Sequence, residues 1–89
     1  MMLTNLQRKT LKAQAHHLNP VIMIGAKGLT PQVVLETDRA LETHELIKVK
    51  IHVADRSIRK TIALDLSKQC HAEFIQIIGQ IAIIYRKKI

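Results

Sequence analysis

The segment PVIMIGAKGLTP, residues 20–31, contains three structural signals in immediate succession. Its apolar run at residues 21–24 is typical of a short strand that is buried on both faces. Two glycines then frame a turn that carries Lys27. Thr30 and Pro31 follow, and these residue types are preferred at the N-cap and at the first position of a helix. The segment therefore predicts a strand, a glycine-flanked turn and the start of a helix.

Periodic patterns on both sides of this segment extend the prediction along the chain. The predicted helices cover residues 4–18, 31–45 and 58–70. The predicted strands cover residues 21–24, 46–54, 73–78 and 81–86. Only two residues separate the last two strands, which is the loop length of a tight β-hairpin. The order αβαβαββ predicts a two-layer α/β domain with a four-stranded mixed sheet and with its helices packed mainly on one face.

The strand over residues 46–54 has the clearest alternation in the chain. Its odd-numbered residues from 47 to 53 are apolar, and Lys48, Lys50 and His52 alternate with them. One face of this strand is therefore predicted to be core and the other basic, so we expect the sheet to be covered on one side only at this strand.

The charge is strongly basic for a chain of 89 residues. Fourteen Lys and Arg stand against seven Asp and Glu, which gives a net charge of +7. Such an excess attracts polyanions, most often nucleic acid. Phe74 and Tyr85 are the only aromatic residues, so the chain cannot build a platform on which bases stack. Any nucleic-acid contact is therefore predicted to use charge and backbone groups.

Other classes of function lack their sequence signals. Cys70 is the single cysteine, and the five histidines are not at ligand spacing, so we expect no disulfide and no metal site. No catalytic motif, nucleotide-phosphate loop or dinucleotide fingerprint is present. We expect no catalytic residue, cofactor or small-molecule substrate. No apolar run is long enough for a membrane span and no leader pattern precedes the first helix, so the prediction is a cytoplasmic protein without a membrane partner.

The glycine-flanked turn is the main candidate site. A helix N-terminus follows it, and free N–H groups there attract phosphate. The turn is equally compatible with a plain strand-to-helix connection. The basic face of the first helix also has two interpretations: it is either a solvated face or a face that binds an anion. The candidate residues are Gly25, Ala26, Lys27, Gly28, Arg8, Lys9, Lys12, Lys48, Lys50, Arg86 and Lys87.

Four stretches resemble the CRM domain (chloroplast RNA splicing and ribosome maturation) in its stand-alone bacterial, YhbY-like form. They are residues 20–30, residues 40–41 with 44–50, residues 77–79 and residues 83–86. The resemblance implies a βαβαββ core preceded by a helix, similar to the C-terminal domain of a bacterial translation initiation factor. It also implies RNA binding, association with precursors of the large ribosomal subunit, and RNA contact by residues 25–28.

The leading hypothesis is a non-catalytic, monomeric RNA-binding protein that acts in assembly of the large ribosomal subunit. The alternative is a basic protein-interaction module that docks on acidic or ribosomal protein partners. We expect a single domain over residues 1–89. It would comprise an N-terminal helical unit over 1–18, the βαβαββ core over 20–86 and a basic tail over 87–89.

Overall fold

The computed structural model describes residues 3–88 and confirms the predicted order αβαβαββ. Its elements are α1 (Asn5–Ala15), β1 (Pro20–Ile24), α2 (Pro31–His44), β2 (Leu46–Ile51), α3 (Arg56–Gln69), β3 (Glu73–Ile78) and β4 (Ile81–Tyr85). Met1 and Met2 of the predicted N-terminal unit and Ile89 of the predicted basic tail lie outside the described residues.

Capping side chains explain where two of the helices begin. Thr4 Oγ1 accepts a hydrogen bond from the Gln7 N–H, and Gln7 Oε1 accepts one from the Thr4 N–H, which completes the capping box of α1. Asp55 Oδ1 accepts hydrogen bonds from the N–H groups of Ser57 (2.8 Å) and Ile58 (3.1 Å). Asp55 is therefore the N-cap of α3, and this helix begins two residues before the predicted position.

Two other predicted elements, the first helix and the second strand, were too long. Helix α1 ends at Ala15, three residues early, because the chain turns at residues 16–17. Strand β2 ends at Ile51 rather than at residue 54. Its neighbour β1 also ends there, with Ile24 opposite Ile51, so β2 has no ladder partner beyond this point on that side.

Strand order defines two ends of the sheet. The order is β1-β2-β4-β3, with β1 parallel to β2 and with β4 antiparallel to both β2 and β3. Strands β1, β2 and β3 therefore finish at one end, called here the loop end, which holds residues 25–30, 52–55 and 79–80. The opposite end, called here the tail end, holds residues 16–19 and 86–88.

Helices α2 and α3 cover the first face of the sheet. The core beneath them contains fully buried side chains from both layers, including Ile24, Leu41, Ile51, Leu66 and Ile84. Cys70, the single cysteine, lies in the same cluster and is 2% exposed. Burial of this apolar surface supplies the main driving force for joining the two layers.

Helix α1 covers part of the second face, which corrects the expectation of a sheet covered on one side at β2. Leu11 and Ala15 pack against Leu46, Ile75 and Ile83 in a smaller buried cluster. The helix docks there because these strand residues form an apolar area towards the tail end. Towards the loop end the expectation of an uncovered face holds, since Lys48 and Lys50 remain partly exposed. The prediction that the strand at residues 21–24 is buried on both faces was wrong, because Val21 and Met23 are exposed and β1 is buried on one face only.

Arg86 anchors the segment after β4. Its Nη1 donates to Asp38 Oδ1 (2.6 Å) and to the Cys70 carbonyl (2.8 Å), and its Nη2 donates to the Asp38 carbonyl (3.0 Å). The Arg86 side chain is 19% exposed. One guanidinium thus connects β4, α2 and the end of α3.

The anchor predicts a stability effect. Arg86→Ala removes charge-assisted hydrogen bonds and leaves the Cys70 carbonyl without this donor, so we expect the free energy of unfolding to fall by about 2 kcal/mol. Urea unfolding followed by circular dichroism measures the change. Lys87→Ala, at the neighbouring exposed position, is the control and should shift stability by less than about 0.5 kcal/mol. An equal loss of stability in both variants would contradict a stabilising role for the Arg86 hydrogen bonds.

The N-cap of α3 predicts a pH-dependent effect. The hydroxyl of Ser57 and the N–H groups of Ile58 and Ser57 hold the pKa of Asp55 below its usual value of 3.8. A carboxylate with a lowered folded-state pKa stabilises the fold above pH 3.8, and this contribution is lost as the pH falls below it. Asp55→Ala should therefore be less stable than the wild type at pH 7, and the difference should shrink below pH 3.8.

Urea titrations at several pH values from 7 to 3 measure that difference. Asp65→Ala, an exposed acid inside the same helix, is the matched control and should not reproduce the pH-dependent gap. A gap between wild type and Asp55→Ala that stays constant down to pH 3 would contradict the capping role.

Candidate nucleic-acid interface

The turn over residues 25–28 projects from the loop end of the sheet. The Gly28 N–H donates to the Gly25 carbonyl at 3.0 Å, which closes a tight turn with Ala26 and Lys27 exposed at its tip. Gly28 has a φ of 67°, a left-handed conformation that favours glycine. Thr30 then caps α2, with its Oγ1 accepting a hydrogen bond from the Val33 N–H at 3.1 Å.

Gly25 differs from Gly28 because the fold itself does not require a glycine there. Its φ lies outside the left-handed region, and a Cβ added at Gly25 would meet no atom within 4 Å. The space beside the Gly25 Cα is open to solvent, so another chain can approach the backbone closely at this point. The first glycine is therefore the stronger indication of a binding role.

Two basic residues that were not among the candidate site residues, His52 and Arg56, lie at the same end. The His52 N–H donates to the Ile24 carbonyl at 2.8 Å, which places His52 beside the start of the turn. Arg56 is exposed at the first position of α3. The signal that could have found them is the parallel pairing of β1 and β2, because residues that follow parallel strands meet at one end of the sheet.

Arg59 stabilises this end from within. Its Nη1 donates to the carbonyls of Val53 (2.7 Å) and Ala54 (2.8 Å), which fixes the connection from β2 to α3. Its Nε is buried and has no hydrogen-bond partner among the described residues. Arg59 therefore holds the segment between His52 and Arg56 in place.

The strand lysines continue the basic surface across the second face of the sheet. Lys50 lies opposite Met23 on β1 and Ile81 on β4, one residue before β2 ends. Lys48 lies further from the loop end, and the exposed residues Lys12 of α1 and His16 of the turn after α1 line a cavity together with it. The structure thus brings three of the predicted site residues, Lys12, Lys48 and Lys50, onto the face that adjoins the turn.

Arg8 and Lys9 of α1 differ in their surroundings. Arg8 Nη1 donates to the Phe74 carbonyl at 2.9 Å, and its Nη2 lies 3.3 Å from Glu73 Oε2 in a salt bridge. Arg8 therefore fastens α1 to the start of β3. Lys9 is exposed beside it. The sequence could not show this pairing, because the two charged partners are separated by 65 residues.

Arg86 and Lys87 are not brought to the glycine turn. They follow β4 at the tail end, where the Arg86 N–H donates to the Glu45 carbonyl at 2.9 Å. A strand of five to six residues is about 17–20 Å long, which separates them from the loop end. Acidic groups also surround them, since Arg86 pairs with Asp38 and the Lys88 N–H donates to Glu45 Oε2 at 2.7 Å.

The Cys70 thiol lies in the core and is not part of the basic surface. Burial raises the pKa of the Cys70 thiol, with a further contribution from the carboxylate of Asp38. A buried thiol of this kind is unreactive. Residues 3–88 contain no cluster of three or more His, Cys, Asp or Glu side chains that could hold a metal ion. No helix in this part of the chain has the length and apolar character needed to cross a membrane.

Comparison with known proteins identifies the family. Residues 3–86 match the model of the CRS1/YhbY (CRM) domain. A probable RNA-binding protein of Pseudomonas aeruginosa is 44% identical over 87 residues, which cover 98% of this chain and 84% of the relative. An RNA-binding protein of Haemophilus influenzae is 45% identical over 84 residues, which cover 94% of this chain and 85% of that protein.

The fold agrees with a solved structure as well. The solution structure of a Staphylococcus aureus protein superposes with a TM-score of 0.87 at 34% sequence identity. The match covers 98% of this chain and 91% of that protein. Sequence and fold thus agree over nearly the whole length, and the chain belongs to the CRS1/YhbY (CRM) domain family.

Proposed function

We propose that this protein is a non-catalytic, monomeric RNA-binding protein whose interface is centred on residues 25–28. The observation that carries the proposal is the exposed turn at the loop end, with an open approach at Gly25 and Lys27 at its tip. The description of bacterial relatives as RNA-binding proteins supports the same class of partner.

The turn would hold RNA by its sugar–phosphate backbone. Free N–H groups near the start of α2 carry partial positive charge, and the lysine at the tip adds a full charge. The open side of Gly25 would allow a phosphate to approach the main chain. Contacts to phosphate position a protein on RNA without reading its bases, so shape and phosphate spacing would dominate recognition.

The surrounding basic residues would extend this contact from the turn onto the sheet. From the turn, a basic surface leads past the β2–α3 connection and onto the second face of the sheet. Its members are Lys27, His52, Arg56, Lys50, Lys48, Lys12 and Lys9. Arg8 and Arg86 would act mainly by holding the fold, since their guanidinium groups are bound to Glu73 and Asp38. Lys87, at the tail end, would add only long-range attraction.

The RNA that we propose is ribosomal RNA in precursors of the large subunit. The basis is the family to which the chain belongs, together with a surface suited to the backbone of structured RNA. Ribosomal precursors offer folded RNA at high local phosphate density, which a basic surface without base-stacking rings can bind.

The electrostatic part of the proposal predicts a salt effect. If the wild type neutralises about four phosphates, log K should fall with log[salt] with a slope of about −3. Lys27→Gln should bind more weakly and reduce the magnitude of the slope by about 1. Filter binding to a structured ribosomal RNA fragment between 50 and 300 mM KCl measures both. Lys68→Gln, an exposed lysine near the tail end of α3, is the charge-matched control.

A slope near zero for the wild type would contradict the electrostatic interface. Unchanged binding by Lys27→Gln would remove the turn from it. If the wild type binds no RNA but retains acidic or ribosomal proteins from a lysate after nuclease treatment, the alternative of a protein-interaction module would replace the proposal.

The identity of the RNA predicts a result in cells. Crosslinking followed by sequencing should recover large-subunit ribosomal RNA with the wild type. Gly25→Asp places a negative charge at the open side of the turn without a backbone conflict, so its yield should fall roughly tenfold. Asn19→Asp introduces the same charge at an exposed site at the tail end and should preserve the yield. Recovery of other RNA classes in place of ribosomal RNA would contradict the ribosomal assignment.

A further inference from the structure

A cavity of about 260 Å³ opens between α1 and the second face of the sheet. Its lining combines basic, amide and apolar side chains from four elements: Lys12, His16, Lys48, Gln76, Ile78, Ile81 and Ile83. Backbone contacts by the turn at residues 25–28 leave Gln76, Ile78 and Ile81 without a role. We propose that this cavity holds one unpaired nucleotide of the bound RNA, an inference that rests on the proposed RNA-binding function.

The rim of the cavity fits an anion. Lys12 contributes from α1, His16 from the turn that follows it, and Lys48 from β2. These groups meet at one opening although 36 residues separate Lys12 from Lys48 along the chain. The lining contains no acidic side chain. Basic groups that converge from two elements without a neutralising acid match a phosphate group.

The floor of the cavity fits the face of a base. Ile81 and Ile83 lie on the same side of β4, and Ile78 lies opposite Ile81 across the hairpin. Ile78 is 63% exposed, so an apolar surface remains in contact with water in the free protein. A phosphate alone gains nothing from such a floor. A base that covers it removes apolar area from water, which is favourable without any aromatic ring.

Gln76 adds a group that can recognise a base edge. It lies opposite Ile83 on the same side of the sheet and is half-buried. Its amide both donates and accepts hydrogen bonds, as the edges of bases do. Within the part of the chain that the structure describes, the amide makes no hydrogen bond, so a base edge would supply its partner.

The basic, amide and apolar lining of the cavity favours an unpaired nucleotide over a paired one. A paired base is stacked in its helix and its edge is occupied, so it cannot enter a cavity. Unpaired bases in loops and bulges can turn outward and do so when proteins bind them.

The position of the cavity allows one RNA strand to reach both sites. Ile78 and Ile81 flank the hairpin turn, and the Gln80 carbonyl accepts a hydrogen bond from the Ile51 N–H at 2.7 Å. His52, the next residue, lies beside the start of the glycine turn. The hairpin and Lys50 thus connect the cavity to the turn along one continuous surface.

Two RNA hairpins with the same stem test the proposal, one fully paired and one with a single-nucleotide bulge. Fluorescence anisotropy should show that the wild type binds the bulged RNA roughly tenfold more tightly. Gln76→Ala and His16→Ala should each reduce this preference to about twofold or less. The matched controls are Gln69→Ala and His17→Ala, at exposed residues that do not line the cavity, and both should retain the preference.

The outcomes separate this inference from the proposed function. Tight binding of both RNAs by the wild type without preference would overturn the nucleotide site and leave RNA binding intact. Absence of binding to either RNA would overturn both proposals. A preference that survives in Gln76→Ala and in His16→Ala, with circular dichroism showing both variants folded, would also overturn the site. Loss of the preference in those two variants alone supports it.

Discussion

The parallel pairing of β1 with β2 is the constraint on which the rest of the molecule depends. It requires a crossover, which α2 supplies, and it aligns the ends of both strands through the bond between the His52 N–H and the Ile24 carbonyl. The glycine turn, the start of α2 and the β2–α3 connection consequently meet at one end of the sheet. A shift of β1 by one residue would exchange buried Ile22 and Ile24 for exposed Val21 and Met23, so burial enforces the register.

This alignment also places charged residues that hold the fold and charged residues that face solvent at opposite ends of the sheet. At the loop end, Lys27 and Arg56 are exposed. At the tail end, Asp38 and Glu45 bind the segment that follows β4. Arg8 and Arg86 are therefore used to close the fold, whereas Lys27, Lys48, Lys50 and Arg56 lie near the glycine turn or on the adjoining face of the sheet.

Hydropathy periodicity and capping residues were sufficient to predict the element order, because both are local properties of the chain. The coverage of the second face was not predicted. Leu46 and Ile75 belong to different strands, and only the tertiary structure shows that they form one apolar area beneath α1. For the same reason, the pairing of basic residues with distant acidic residues was not predicted. Nothing near Arg86 in sequence indicates its pairing with Asp38, which is 48 residues away. The position of Lys27 in a turn before a helix could be predicted, because the turn and the helix are contiguous with it in sequence.

The anchoring of Arg86 has a practical consequence for how the molecule is presented in experiments. Residues 86–88 lie at the tail end, at the opposite end of the sheet from residues 25–28. Because the guanidinium fixes the direction of the chain at that point, an affinity handle or a surface linker there would leave the glycine turn facing the solution. Immobilisation through the exposed side chain of Lys88 therefore orients the proposed interface outward without any change to its residues.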